Sequence, residues 1–236
     1  MHPLSRDIQA LANPVRAKLS LRYFKTGPGQ DGEGDVFAGL TVPQVRMIAK
    51  KYRELPLSEA EQLLHSKLHE ERQTVLMILV YQFRKGDETK RKKIYDLYLA
   101  NTKYINNWDL IDLTAPAIIG GYLADKNRSI LTKLAQSESL WERRIAMLAT
   151  FQFIARNESD DALKVAELLV YDEHDLIHKA VGWGLREIGK RCGEEIEEKF
   201  LKKHAATMPR TMLRYAIERF DERKRKLYLS YKYKTA

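Results

Sequence analysis

Apolar residues recur every three or four positions along nearly the whole chain, and runs that alternate apolar with polar residues are almost absent. Such a period places one apolar stripe on each helix and predicts an all-α fold. Glu71 to Phe83 carries it clearly, with Val75, Leu76, Leu79, Val80 and Phe83 on one face. That face needs a partner helix. Helix punctuation recurs at short intervals: Thr41-Val42-Pro43, Leu57-Ser58 before Glu61, Pro116, Gly120-Gly121, and Met208-Pro209 before Thr211. Proline just inside a helix start and glycine near a helix end are the expected markers of many short helices joined by tight turns.

A weak repeat underlies these helices. Small or apolar residues near the start of successive long helices fall at Val75, position 112, Ala146, Ala180 and Ala216, at steps of 37, 34, 34 and 36 residues. A helix pair fits that interval, and without a tetratricopeptide signature the reading is a HEAT-like helical-repeat solenoid with a concave face. The 236 residues, 44% of them hydrophobic, are enough for one domain over 1–236 with a continuous core.

The 41 Lys and Arg against 32 Asp and Glu leave a formal charge of +9, which attracts polyanions. No apolar run approaches the roughly 18 residues of a membrane span, and Pro3, Arg6, Asp7, Pro14 and Arg16 interrupt any leader-like stretch. The expectation is a soluble, cytoplasmic monomer, nucleoid-associated when bound to DNA, with no membrane partner. One cysteine, Cys192, and six scattered histidines offer no zinc-binding spacing, so neither a metal nor another cofactor is expected.

Two segments depart from the regular pattern. Residues 25–35 hold four glycines and Pro28 and must form a loop; no Gly-Lys-Ser/Thr follows, so it reads as a connector rather than a phosphate loop. Residues 222–236 mix cations with tyrosines, either to rest on a phosphate backbone or to end the last helix in solvent.

Of the five aligned repeat positions, only position 112 holds a carboxylate. A buried carboxylate is costly, so Asp112 either has a structural partner or faces a cavity where its charge is used. Trp108 precedes it by four residues, on the same helical face, and Trp183 lies near the equivalent phase two repeats later. Arg143 and Arg144 precede Ala146, and Arg186 follows Trp183. By periodicity Arg143, rather than Arg144, stands nearer the Asp112 face.

The string Ile105-Asn106-Asn107-Trp108-Asp109-Leu110-Ile111-Asp112, followed by Pro116 and Ile118-Ile119-Gly120, resembles the catalytic helix of the alkylpurine DNA glycosylase D family. Trp141-Glu142-Arg143-Arg144 and Lys179-Ala180-Val181-Gly182-Trp183-Gly184-Leu185-Arg186-Glu187 are similar to further family motifs. So are Tyr23-Phe24-Lys25-Thr26-Gly27, Gly32-Glu33-Gly34-Asp35 and Leu68-His69-Glu70-Glu71-Arg72. The resemblance covers roughly residues 20–190.

It implies a HEAT-like fold wrapping double-stranded DNA in a basic concave groove and hydrolysing the N-glycosidic bond of cationic N3- and N7-alkylated purines. On this resemblance Asp112 is the catalytic carboxylate, Trp108 and Trp183 flank it, and Arg144 contacts the DNA backbone. Arg143 and Arg186 are further DNA-binding candidates, and Tyr23 matches an aromatic near the lesion. The lesion would stay largely stacked, and with no lysine singled out as a Schiff-base nucleophile the reaction would be monofunctional. The glycine-rich loop and the basic tail differ from the best-known members. Two alternatives remain: a non-catalytic repeat binder of branched or damaged DNA, as some relatives are, and a repeat scaffold for an acidic protein partner.

Overall fold

The computed structural model describes residues 1–231. They are 71% helical with no strands, which makes the chain an all-α helical-repeat protein. The only sheet-like pairing among the described residues is an isolated bridge between Val36 and Leu68. No described helix is long and apolar enough to cross a membrane. The chain forms two compact units, residues 1–118 and residues 119 onward.

The first unit contains α1 (Pro3–Ala10), α2 (Pro14–Tyr23), α3 (Val42–Lys51), α4 (Leu57–Leu64), α5 (His69–Lys85), α6 (Glu88–Ala100) and α7 (Trp108–Ala115). Its axis is α5, against which α1, α3, α4, α6 and α7 all pack. Apart from Tyr81, every residue of α5 from His69 to Phe83 is buried. A helix surrounded in this way needs apolar residues all round, and Val75 to Val80 supply six in succession. At about 1.5–3 kcal/mol for each large aliphatic side chain, burial of this segment is a large contribution to the stability of the unit.

Several start signals act as the sequence implies, but Pro116 begins no new helix: it carries α7 into a π-helical turn, Pro116–Gly120, that runs on into the next helix. Asn13 caps α2 by accepting from the Arg16 N–H at 2.9 Å, with Pro14 as the first helical residue. The α3 start is closed by Gln44, whose side-chain oxygen accepts from the Thr41 N–H at 2.8 Å. Asp87 caps α6 through the Lys90 N–H.

The second unit runs from α8 (Gly121–Leu123) through α9 (Ser129–Ala135), α10 (Leu140–Ala149), α11 (Phe151–Ile154), α12 (Asp160–Leu169), α13 (Asp175–Arg191), α14 (Glu194–His204) and α15 (Arg210–Ala216) to α16 (Glu222–Ser230). Here α13 is central, packing on α10, α11, α12, α14 and α15. Gly182 lets α13 approach α15 closely: a Cβ there would run into the Met212 carbonyl oxygen and the Tyr215 Cβ. Its place beside Trp183 is therefore a packing requirement. The tail region begins as helix α16, capped by Asp221 on the Lys224 N–H; its Lys232, Tyr233 and Lys234 lie outside the described residues.

Candidate active site in the first unit

The start of α7 is set by Asn107, whose side-chain oxygen accepts from the Trp108 N–H at 2.9 Å. Trp108 is thus the first residue of the helix and Asp112 stands one turn further on, so the two share a face. Both line a recess of about 370 Å³ together with Tyr23, Phe24, Phe37 and Asp109. Three of the residues singled out in the sequence, Tyr23, Trp108 and Asp112, therefore meet. Asp112 and Trp108 are half-buried and Tyr23 is exposed.

Aromatic rings form one wall. Phe24 stacks on Trp108 with centroids 5.6 Å apart, and Phe37 stacks on Phe24 at 5.0 Å. Tyr23 meets Trp108 edge-on at 5.9 Å. Offset stacks and edge contacts suit the ring quadrupoles and make this wall stiff. Below α7, Tyr98 is buried with its hydroxyl 2.9 Å from that of Thr114.

Behind the wall lies a buried ionic chain that periodicity did not predict. His69, the first residue of α5, places Nδ1 3.0 Å from Asp35 Oδ2 and Nε2 2.9 Å from Asp109 Oδ2. The side chains of His69 and Asp35 are 2% and 3% exposed, so bulk solvent screens their charges little. Arg72 donates to the other oxygen of Asp35 at 2.6 Å, and Asn107, the cap of α7, donates to Asp35 Oδ2 at 3.2 Å. Gln73 donates to Asp109 Oδ2 at 2.8 Å; the second oxygen of Asp109 is buried without a hydrogen-bond partner.

Carboxylates only accept, so a ring bonded to one at each nitrogen must carry both protons and be the imidazolium. Burial pushes the His69 pKa down, but the hydrogen bonds and charges of Asp109 and Asp35 outweigh it and raise the pKa to about 9. Burial likewise pushes Asp35 up, and the bonds and charges from His69 and Arg72 prevail, holding it below the usual carboxylate range.

The glycine-rich segment is docked by the same groups. A Cβ on Gly32 would strike the Phe24 carbonyl oxygen, so only glycine fits where the loop folds back. Glu70 accepts from the backbone N–H groups of Ala38, Gly39 and Leu40 at 2.9, 2.8 and 3.2 Å. Its carboxylate thus serves the loop backbone.

In the second unit, Trp183 on α13 makes an edge contact with Phe151 at 4.7 Å. Arg143 bonds Asp172 at 2.7 Å and the carbonyls of Ser137 and Glu138 at 3.0 and 2.9 Å, bracing the start of α10. Arg144, only 4% exposed, donates to the Leu176 carbonyl at the start of α13. Arg186 is ion-paired with Glu218.

The unpredicted members are Asp35, His69 and Asp109 in the chain and Phe24 and Phe37 in the wall. Two signals were available: all of these but Phe37 fall in strings that resemble family motifs, and His69 to Thr74 are six successive polar residues opening a helix whose middle is apolar. Buried polar groups must find partners, and these find them in the loop and in α7.

A structure described as a predicted DNA alkylation repair enzyme from Enterococcus faecalis is similar to this chain, with a TM-score of 0.67 at 18% identity, over 89% of this chain and 97% of that one. At that identity the likeness concerns the fold. No curated protein matches the chain. The family described as DNA alkylation repair enzyme matches over residues 4–220, a span that includes both units' central helices and the whole recess. The chain belongs to the DNA alkylation repair enzyme family.

Proposed function

We propose that the protein is a monofunctional DNA glycosylase that hydrolyses the N-glycosidic bond of cationic N3- and N7-alkylated purines in double-stranded DNA. The observation that carries this reading is a carboxylate, Asp112, one turn from Trp108 on the wall of an aromatic recess, in a chain of an alkylation repair family.

Alkylation at N3 or N7 already makes the purine a cation. As the C1′–N bond breaks, its electron pair leaves with the base, which departs neutral and needs no acid to protonate it. Positive charge grows instead on the deoxyribose. An ionised Asp112 stabilises that charge and takes a proton from the water whose oxygen bonds to C1′. The electron-rich face of Trp108 attracts the electron-poor sugar and the cationic base; Trp183, in the second unit, is a further aromatic candidate on its resemblance to the family motif. Tyr23 adds a further aromatic contact near the lesion, and the lesion stays largely stacked in the duplex.

Arg144 is proposed as the backbone-contacting arginine, with Arg186 as a further candidate; Arg143, the other candidate of the sequence, is the weaker one because its guanidinium is committed to Asp172 and two carbonyls. The pair with Glu218 must open before Arg186 reaches a phosphate. The protein is proposed to act as a monomer.

The test is release of N7-methylguanine and N3-methyladenine from methylated duplex by wild-type protein beside Asp112→Asn. The variant keeps the size of the side chain and removes its charge, so excision should fall by roughly a hundred- to a thousandfold with DNA affinity unchanged. Equal loss of binding and excision would make Asp112 structural. Release by neither protein, with duplex binding intact, would leave a DNA-structure binder, and appearance of β-elimination products would end the monofunctional assignment.

A further inference from the structure

The glycine-rich loop, the start of α5 and the start of α7 meet at one buried imidazole. Asp35 ends the loop, His69 opens α5, and Asp109 is the second residue of α7, directly after Trp108 and three before Asp112. Asp35 also holds Asn107, the cap of the same helix, and is itself held by Arg72. The α7 terminus is therefore tied to α5 through Asp109, which bonds His69 and Gln73, and to the loop through Asn107, which bonds Asp35.

We propose that His69, in its doubly protonated form, is a positioning residue for excision, which fastens the start of α7, and with it Trp108 and Asp112, to α5 and the glycine-rich loop. The inference rests on the glycosylase reading for its kinetic consequence, although the mechanical link stands on the contacts alone.

The charges facing the ring are Asp35 from the loop, Asp109 from α7, and Arg72 from α5 on the far oxygen of Asp35. Phe37 and Phe24 cover the ring itself at 4.6 and 5.0 Å. Glu70 and Asp112 line the same recess, Glu70 with its carboxylate occupied by the loop backbone. With the proton present, the chain of two carboxylates, an imidazolium and a guanidinium is neutral. Once it is lost, one nitrogen becomes an acceptor facing a carboxylate, and one of the two bonds is replaced by repulsion between lone pairs in a buried site. Arg72 keeps Asp35 in place, Gln73 keeps one bond to Asp109 and Asn107 still ties the helix cap to Asp35, so weakening of the His69–Asp109 bond reorients the start of α7 about these remaining contacts rather than releasing it. A small shift of α7 moves Asp112 relative to C1′, and a displacement of about 1 Å can cost on the order of a hundredfold in rate.

Two measurements test this. The first follows the His69 imidazole nitrogens and the Trp108 indole N–H of wild-type protein by NMR from about pH 6 to about pH 10, a range that brackets the raised pKa. Both should move together near pH 9. Titration of His69 near its ordinary value, or an indole that does not respond when His69 titrates, would overturn the proposal whether or not the protein excises bases. The second compares single-turnover excision and DNA affinity for wild type and His69→Gln, using folded protein as judged by its unfolding transition. The expected result is a rate reduced by roughly tenfold to a hundredfold with little change in affinity, and loss of the alkaline fall seen in wild type. A folded variant with the wild-type rate and pH profile would overturn the proposal. Absence of excision by wild type would instead sink the glycosylase reading and leave the NMR result to decide the mechanical link.

Discussion

At the scale of single residues, burial decides what each charge can do. His69 gains its second proton only because Asp35 and Asp109 stand at both nitrogens, and its folded pKa of about 9 lies above the ordinary value of 6.5. A raised pKa means the folded state binds the proton more tightly. Its contribution is therefore fully present below about pH 6.5 and is lost as the pH rises through about 9. The linked energy is roughly 3 kcal/mol, and urea unfolding from neutral to alkaline pH should show stability declining more steeply over that window in wild type than in His69→Gln. Asp35 has the opposite sign. Its lowered pKa contributes stability that is present above the ordinary carboxylate value of 3.8 and lost as the pH falls through the folded value. Asp35→Ala would strand a buried guanidinium and imidazolium, at a cost of about 3–5 kcal/mol by unfolding. A loss below about 1 kcal/mol would show that water reaches the site and that the chain is not a closed ionic unit. Glu197 in α14 is a third case: burial, followed by repulsion from Glu194 and Glu198, pushes its carboxyl up to about 8 against the attraction of Arg186 and Lys224. Its neutral form suits the fold, so stability falls as the pH rises from the ordinary value of 4.5 through about 8. Glu197→Gln should remove that fall and raise stability at alkaline pH by roughly 1–3 kcal/mol. Unchanged alkaline stability would mean that the carboxyl is ionised and accommodated.

Among the elements, the two long helices show what could be read in advance. The three- and four-residue spacing from Val75 to Phe83 announced α5, and Pro14, Pro43 and Pro209 stand at helix starts as their fixed φ predicts. Asp112 could be found because it interrupts an apolar register, and Trp108 because it lies one turn away. His69 to Gln73 could not be assigned in this way. Six consecutive polar residues, His69 to Thr74, look like a solvated helix end until the loop from residue 25 to residue 41 is seen to cover them, and periodicity carries no information about which loop covers which helix. Arg143 shows the converse limit: the register placed it toward Asp112, whereas the structure commits it to Asp172 and two carbonyls. Gly182 is a motif glycine whose role is settled at this scale. Adding a methyl group pushes α13 off α15 at a backbone oxygen that cannot swing away. Gly182→Ala should cost about 1–3 kcal/mol in unfolding while His69 titrates as in wild type, since the ionic chain belongs to the other unit. An unaffected midpoint would show that the α13–α15 approach is soft.

For the whole molecule, an excess of nine positive charges favours a polyanion but does not say which cations meet it. Many are spent internally. Arg72, Arg128, Arg143 and Arg156 all pair with carboxylates within their own unit, and such pairs add nothing to the release of counterions from DNA. Salt dependence separates the two populations, because the slope of log affinity against log salt falls by about 0.9 for each phosphate contact removed from duplex DNA. Arg143 and Arg144 are neighbours with the same charge, so they make a controlled comparison. Arg144→Ala should weaken duplex binding for all sequences and lower the slope by about one such unit, if its guanidinium turns from the Leu176 carbonyl to a phosphate. Arg143→Ala should leave the slope unchanged and lower stability instead, because it frees Asp172 and uncaps two carbonyls at the start of α10. The reverse outcome, with the slope responding to Arg143 and stability to Arg144, would return the backbone contact to the residue that simple helical register had favoured and make buried Arg144 a packing arginine.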